Sequence, residues 1–110
     1  MAGADVNIQN IAWDMMRTAL IEAAIGGWTD IVRLLVEAGA DVDARDFSGG
    51  TALTMAALKG HTDIVRILRD AGADLTIVDV DGRTALMWAT SNGFNAIIRL
   101  LDLRLDFNLT

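Results

Sequence analysis

Few side chains in this sequence could do chemistry. His61 is the sole histidine, set between Gly60 and Thr62. A histidine acting as a general base or metal ligand needs a partner group within reach. None stands nearby at ligand spacing. The segment DVDARD brings Asp41, Asp43 and Asp46 together, as a calcium loop would, but lacks the central Gly and the closing Glu of such loops. Short carboxylates so placed fit a turn, where they accept backbone N–H groups. Arg33, Arg66 and Arg99 recur at one interval, and Asp41 and Asp74 share it, with Asp5 and Asp106 near the ends. This ladder reads either as a charged stripe for a partner or as solvated outer faces with hydrogen bonds between units. Its regular repetition favours the second, and surface pairs of this kind add little stability each. There is no nucleophile–base pair, phosphate-cradling glycine loop or metal spacing. The expectation is a non-enzyme that holds no metal and no cofactor.

Composition narrows the remaining classes. A chain of 110 residues with 53% hydrophobic content fits one domain with a real core. No apolar run approaches the length of a membrane span, and no basic region precedes an apolar stretch at the N-terminus. The sequence has no Cys, hence no disulfide framework, which fits a reducing compartment and a cytoplasmic location. The net charge of −6 argues against nucleic acid and against anionic membrane surfaces, both of which call for a basic footprint. Acidic residues are 13 Asp against 2 Glu. That excess suggests many turns and helix starts.

The elements that carry these residues repeat. The tripeptide TAL occurs at 18–20, 51–53 and 84–86, a period of 33 residues. Gly27, Gly60 and Gly93 keep this period, as do Arg33, Arg66 and Arg99, and the pairs Gly39/Gly72, Asp30/Asp63 and Asp46/Asp79. Each unit reads as two short helices. In the middle unit Thr51 is suited to cap the first helix, which runs over good helix formers from Ala52 to Leu58. Gly60 stops it. Thr62 is suited to cap the second helix, with Asp63 at its positive end. Ile64, Val65, Ile67 and Leu68 then form a wide apolar face, and Gly72 ends the helix. The link that follows is turn-rich, with Asp81–Gly82 at its tip. Small residues, Ala23–Ala24 and Ala56–Ala57, then Ala89–Thr90, allow neighbouring first helices to approach closely. One helix pair cannot bury its apolar face alone, but three stacked pairs can.

The 33-residue period, the T-x-L opening, the Ala–Ala pair, G-x-T-D-I-V-R-x-L and the A-G-A-D ending together resemble ankyrin repeats over nearly the whole chain. The motif residues of tetratricopeptide repeats are absent. The resemblance implies an all-α solenoid of three stacked helix–turn–helix units with short hairpin-like fingers. It also implies protein–protein recognition through a concave face. The sequence departs from the family's T-P-L-H-x-A, having TALIEA, TALTMA and TALMWA. Alanine replaces the proline that pre-sets the helix start, and Ile21, Thr54 or Met87 replaces the histidine. The fold is expected to survive with less rigid helix starts.

The single domain divides into residues 1–13, the tail of a preceding repeat with an extended link, and repeats over 14–45, 46–78 and 79–110. The first link is longer than the others by three residues, and Met16 stands where Gly49 and Gly82 stand. A methionine is costly in a left-handed turn. The expectation is that Asp14 caps a helix through MMRTALIEAA, one turn longer than its counterparts, and that no hairpin tip forms at Met15–Met16. At the far end Arg104 replaces the helix-ending glycine, so the last helix should fray or run on. Ile97, Ile98, Leu100, Leu101, Leu103, Leu105 and Phe107 crowd the last unit, as Trp13, Met15 and Met16 crowd the start. Exposed apolar ends suggest further repeats or self-association. The opening AGADVN matches the closing segment of a repeat and the chain stops at the same phase. This is expected of a stretch excised from a longer array, or of a half-repeat cap. An engineered array with no native partner is the further alternative.

Positions that vary while their neighbours repeat are the candidates for a partner. In the second link these are Arg45, Phe47, Ser48 and Gly50; in the third, Val78, Val80, Asp81 and Arg83. On the ends of the first helices they are Leu58, Lys59, Ser91 and Asn92. In the proteins this chain resembles, the fingers and first helices form the concave binding face. Phe47 and Val80 are apolar at tips, which is evidence for a contact unless they pack on the adjacent finger. Trp88 is a further candidate, though its helical spacing also suits a partly buried role. The partner is expected to be a protein, with self-association through the apolar ends as the alternative reading. His61 aligns with Trp28 and Phe94, and its expected role is a ring packed in a stack of loops.

Overall fold

A computed structural model describes the backbone of residues 8–102 and the side chains of 15–102. Among these residues six helices follow in chain order: α1 Ile8–Gly26, α2 Thr29–Glu37, α3 Ala52–Lys59, α4 Thr62–Asp70, α5 Ala85–Asn92 and α6 Asn95–Leu101. No strand occurs among the described residues. The helices pack as three antiparallel pairs. The first helices, α1, α3 and α5, stand in one row and the second helices, α2, α4 and α6, in another.

Small side chains set the spacing of the first row. Ala24, Ala52, Ala56, Ala57 and Ala89 are all fully buried, so backbone approaches backbone. Larger side chains fill the space between the rows: Leu20, Leu53, Val32, Ile64, Val65, Leu68 and Ile97. Each such burial is worth roughly 1.5–3 kcal/mol relative to exposure. The turn within each pair needs a left-handed residue, and Gly27, Gly60 and Gly93 supply it at φ 77°, 83° and 73°.

Helix starts differ between units in ways the repeat hides. Thr51 caps α3, its hydroxyl accepting the Thr54 N–H at 3.2 Å. The Thr54 hydroxyl in turn accepts the Thr51 N–H at 3.2 Å, completing a capping box. Thr54 thus provides the polar link at the helix start where the family has histidine. Thr84 caps α5 through the Met87 N–H, but Met87 has no group to answer with. Thr62 does not cap α4. The N-cap position falls on His61, with no side-chain bond, and Thr62 is already helical. The same holds for Trp28 before α2 and Phe94 before α6.

From Ile8 onward the first link forms no finger. It is helical, as its missing glycine predicts, but α1 begins at Ile8, ahead of Asp14. Asp14 therefore lies inside the helix and is not its cap. Residues 8–13, read above as tail and link, belong to α1, and Thr18 opens no helix of its own. At the other end α6 stops at Leu101 with Asp102 extended. The proposed run-on at Arg104, the crowding by Leu103, Leu105 and Phe107, the side chain of Trp13 and the segment AGADVN lie outside the described residues. Within them, Ile97 and Leu101 are buried, whereas Ile98 and Leu100 are only partly covered. Met15 is exposed, as the apolar start suggested.

Candidate functional site

Two fingers exist among the described residues, and aspartate builds both. In the second link the Gly49 N–H donates to the Asp46 carbonyl at 3.0 Å and the Asp46 N–H to the Gly50 carbonyl at 2.9 Å. In the third, the Gly82 N–H donates to the Asp79 carbonyl at 2.9 Å and the Asp79 N–H to the Arg83 carbonyl at 3.0 Å. This is a three-residue hairpin loop closed by a left-handed glycine, Gly49 or Gly82. The Asp46 carboxylate fills the loop, accepting the Ser48 N–H at 2.8 Å, the Gly50 N–H at 3.2 Å and the Ser48 hydroxyl. Asp79 accepts the N–H groups of Asp81 and Arg83 at 2.9 and 3.0 Å. The DVDARD carboxylates therefore serve turns, as their spacing suggests. Asp41 accepts the Asp43 N–H, and Asp43 reaches the next unit to accept the Asp74 N–H at 2.8 Å.

The fingers are joined to each other. The Val80 N–H donates to the Ser48 carbonyl at 2.8 Å, and the Arg45 guanidinium donates to the Val78 carbonyl. Two candidate residues, Arg45 and Ser48, thus hold the finger row together. Gly50 is buried, and a Cβ on it would come within 2.7 Å of the Met55 methyl. It supports the finger and offers no surface, contrary to its choice as a contact residue. The tips do offer surface. Phe47 is 106% exposed and Val80 73%, so neither packs on the neighbouring finger. Val78 and Asp81 are also exposed.

At the base of the third finger Trp88 is half-buried and directed by two contacts. Its indole N–H donates to Asp79 Oδ2 at 2.8 Å, and the Arg83 guanidinium lies 4.7 Å above its ring. The indole bond is the largest cause holding the Asp79 carboxyl below the ordinary carboxylate range; the Arg83 and Asp81 N–H groups and the Arg83 charge act in the same direction against a desolvation that opposes them. Asp74 is lowered likewise, by the Thr76 hydroxyl first, then the Thr76 N–H, with Arg45 adding to them and desolvation opposing. A carboxylate lowered by folding stabilises the fold above its unfolded value and loses that effect as pH falls through its folded value. Trp88→Phe should therefore return Asp79 towards the ordinary range and leave Asp74 low. A carbon-detected NMR titration of the two carboxyls checks this, and an unmoved Asp79 would contradict it.

The remaining candidates lie elsewhere. Leu58, Lys59, Ser91 and Asn92 sit at the glycine ends of α3 and α5, about 12 Å of helix from the fingers. Asn92 donates to the Leu58 carbonyl at 3.1 Å, tying the two helix ends together. The candidate set is therefore two patches. The structure adds a cleft that link variation did not point to. It runs between α1 and the second-link finger and is lined by Arg17, Thr18, Ile21, Glu22, Ile25, Arg45, Asp46 and Phe47. Its signal in the sequence is the missing glycine at Met16, where the described link residues run on as helix α1.

The Arg ladder is structural where it has partners. Arg33 pairs with Asp30 at 3.4 Å and Arg66 with Asp63 at 3.2 Å, both exposed. Ala96 stands at that position in the third unit. His61 donates from Nε2 to the Ile25 carbonyl of the preceding unit at 3.1 Å. A carbonyl can only accept, so this nitrogen carries the proton.

A family model described as ankyrin repeats, in three copies, matches residues 1–79 and 49–110 of the chain. Comparison with curated proteins finds no match.

Proposed function

The chain belongs to the ankyrin-repeat family, whose repeats generally mediate protein–protein interaction, and on that premise we propose that it binds a protein partner through its finger tips and the adjoining first helices. Phe47 carries this reading. A phenylalanine wholly outside the fold contributes nothing to folding, and apolar anchors of this kind dominate binding energy in protein interfaces. Val80 stands beside it on a finger held by a backbone bond, so the two tips form one preorganised edge. Trp88, fixed by Asp79 and Arg83, and the cleft lined by Ile21 and Ile25 extend the surface on either side. Catalysis has no part in this reading. Among the described residues no helix is long and apolar enough to cross a membrane.

The test is an affinity purification with wild-type chain and with Phe47→Ala/Val80→Ala, followed by calorimetry on the recovered partner. The double variant should weaken binding by about 2–4 kcal/mol, as truncated anchors do. Its melting temperature should match wild type, since both side chains are exposed. Undiminished affinity would remove the tips from the site.

A further inference from the structure

The ring at each helix–helix turn sits on the glycine of the unit before it. A Cβ on Gly27 would come within 2.7 Å of His61 Cε1, and one on Gly60 within 3.0 Å of Phe94 Cζ. Trp28 has the same backbone as these two: φ −85°, −87° and −82° and ψ 78°, 85° and 82° for Trp28, His61 and Phe94. Its ring lies over Gly26 of its own unit, where a Cβ would come within 3.1 Å of Trp28 Cε2, and it is 57% exposed. At the other end Gly93 has the same left-handed φ of 73°, and nothing lies within 4 Å of its Cβ position. One end holds a ring that covers no neighbouring unit, and the other a seat without a ring.

The second helices repeat this mismatch. Ile64 and Ile97 are fully buried, while Ile31, at the same phase, is 43% exposed. On the opposite side Val32 and Val65 are fully buried, while Ile98 is only partly covered. The uncovered surface at each end is thus the surface that seals the units inside the chain. These two ends are complementary to each other and not to themselves.

We propose that copies of this protein stack head to tail, Trp28 of one copy seating on Gly93 of the next and Ile31 covering Ile98. The contact continues the interface between units at the same 33-residue step. In that step His61 donates to the Ile25 carbonyl; two steps on from Ile25 the acceptor is the Ser91 carbonyl, and the donor is the Trp28 indole N–H. A heterologous contact of this kind leaves one end free at every addition, so the assembly grows past a dimer. The charge of −6 on each copy opposes growth, and salt should favour it.

The experiment is light scattering on the full chain from micromolar to millimolar concentration, with three arms. Wild-type mass should rise with concentration beyond that of a dimer. Trp28→Ser should weaken association by about thirtyfold or more, the scale of a lost aromatic anchor. Gly93→Asn keeps a residue that tolerates the left-handed backbone but fills the seat with a side chain, and should block growth equally. An equimolar mixture of the two variants should form a one-to-one dimer and nothing larger, because one good end of each survives. If Gly93→Asn lowers the melting temperature, Ile98→Lys replaces it as the blocked end. A wild-type mass that stays monomeric to millimolar concentration overturns the proposal. So does unchanged association of Trp28→Ser, or a closed dimer that Gly93→Asn leaves intact.

Discussion

Gly27→Ala should lower folding stability by about 3 kcal/mol or more, and Gly82→Ala by about 1 kcal/mol, although both glycines have φ near 76°. The left-handed backbone taxes an alanine similarly at the two sites, by about 1–2 kcal/mol. Space separates them. Nothing lies within 4 Å of a Cβ on Gly82, whereas one on Gly27 meets the His61 ring at 2.7 Å. The ring must leave, and its bond to the Ile25 carbonyl goes with it, adding about 1–3 kcal/mol for the stranded acceptor. Urea unfolding of the two variants measures the difference. A Gly27→Ala/His61→Ala cycle should show coupling, since the alanine costs less once the ring is gone. Equal losses at Gly27 and Gly82 would mean that the ring yields freely and that backbone strain is the whole effect.

The second large effect compares two isoleucines that the repeat makes equivalent. Ile64→Ala should cost about 3–4 kcal/mol, within the range for buried isoleucine truncations. Ile31→Ala, measured at low protein concentration, should cost less than about 1 kcal/mol. Ile64 has no accessible surface in α4, which packs against α2, α3 and α6, and truncating it leaves a cavity in a closely packed core. Ile31 is 43% exposed, so water fills the space its side chain leaves. Chemical denaturation of the pair decides the matter. Similar losses would show that something covers Ile31 in solution.

These pairs also show how much of the molecule can be read from residue order. The period, the helix pairs, the alanine contacts and the left-handed turns at Gly27, Gly60 and Gly93 all follow from local chemistry repeated three times. Helix formers and breakers act within a few residues, so one sequence suffices. The finger turns were legible too, because Asp46 and Asp79 work through their own loops. The start of α1 was not. Nothing at Asp14 outcompeted continuing a helix back to Ile8, and capping preference alone does not forbid an aspartate inside a helix. The candidate site was legible in part. Variation singled out Phe47 and Val80, which the fold leaves exposed, but equally Gly50, which it buries. Variation between units reports only that a position is unconstrained by the repeat. Whether it faces solvent depends on neighbours such as Met55, in the first turn of α3. The cleft at α1 escaped because the described residues ahead of Thr18 run as helix from Ile8, and the other units have no such segment to compare.

The two rows of helices have a kinetic consequence. The principal packing contacts join helices of one unit or of adjacent units, α1 with α3, α3 with α5, α2 with α4 and α4 with α6. No part of the core has to wait for the two ends of the chain to meet. Loop closures are short, so the barrier is low and folding belongs in the fast range of small helical proteins. The middle unit has the complete capping box and neighbours on both sides, and it is the natural nucleus. Growth then spreads outward in both directions, and on unfolding the outer pairs open first. Amide protons in α3 and α4 should be the last to exchange, and the surfaces around Trp28 and Gly93 the first to feel solvent.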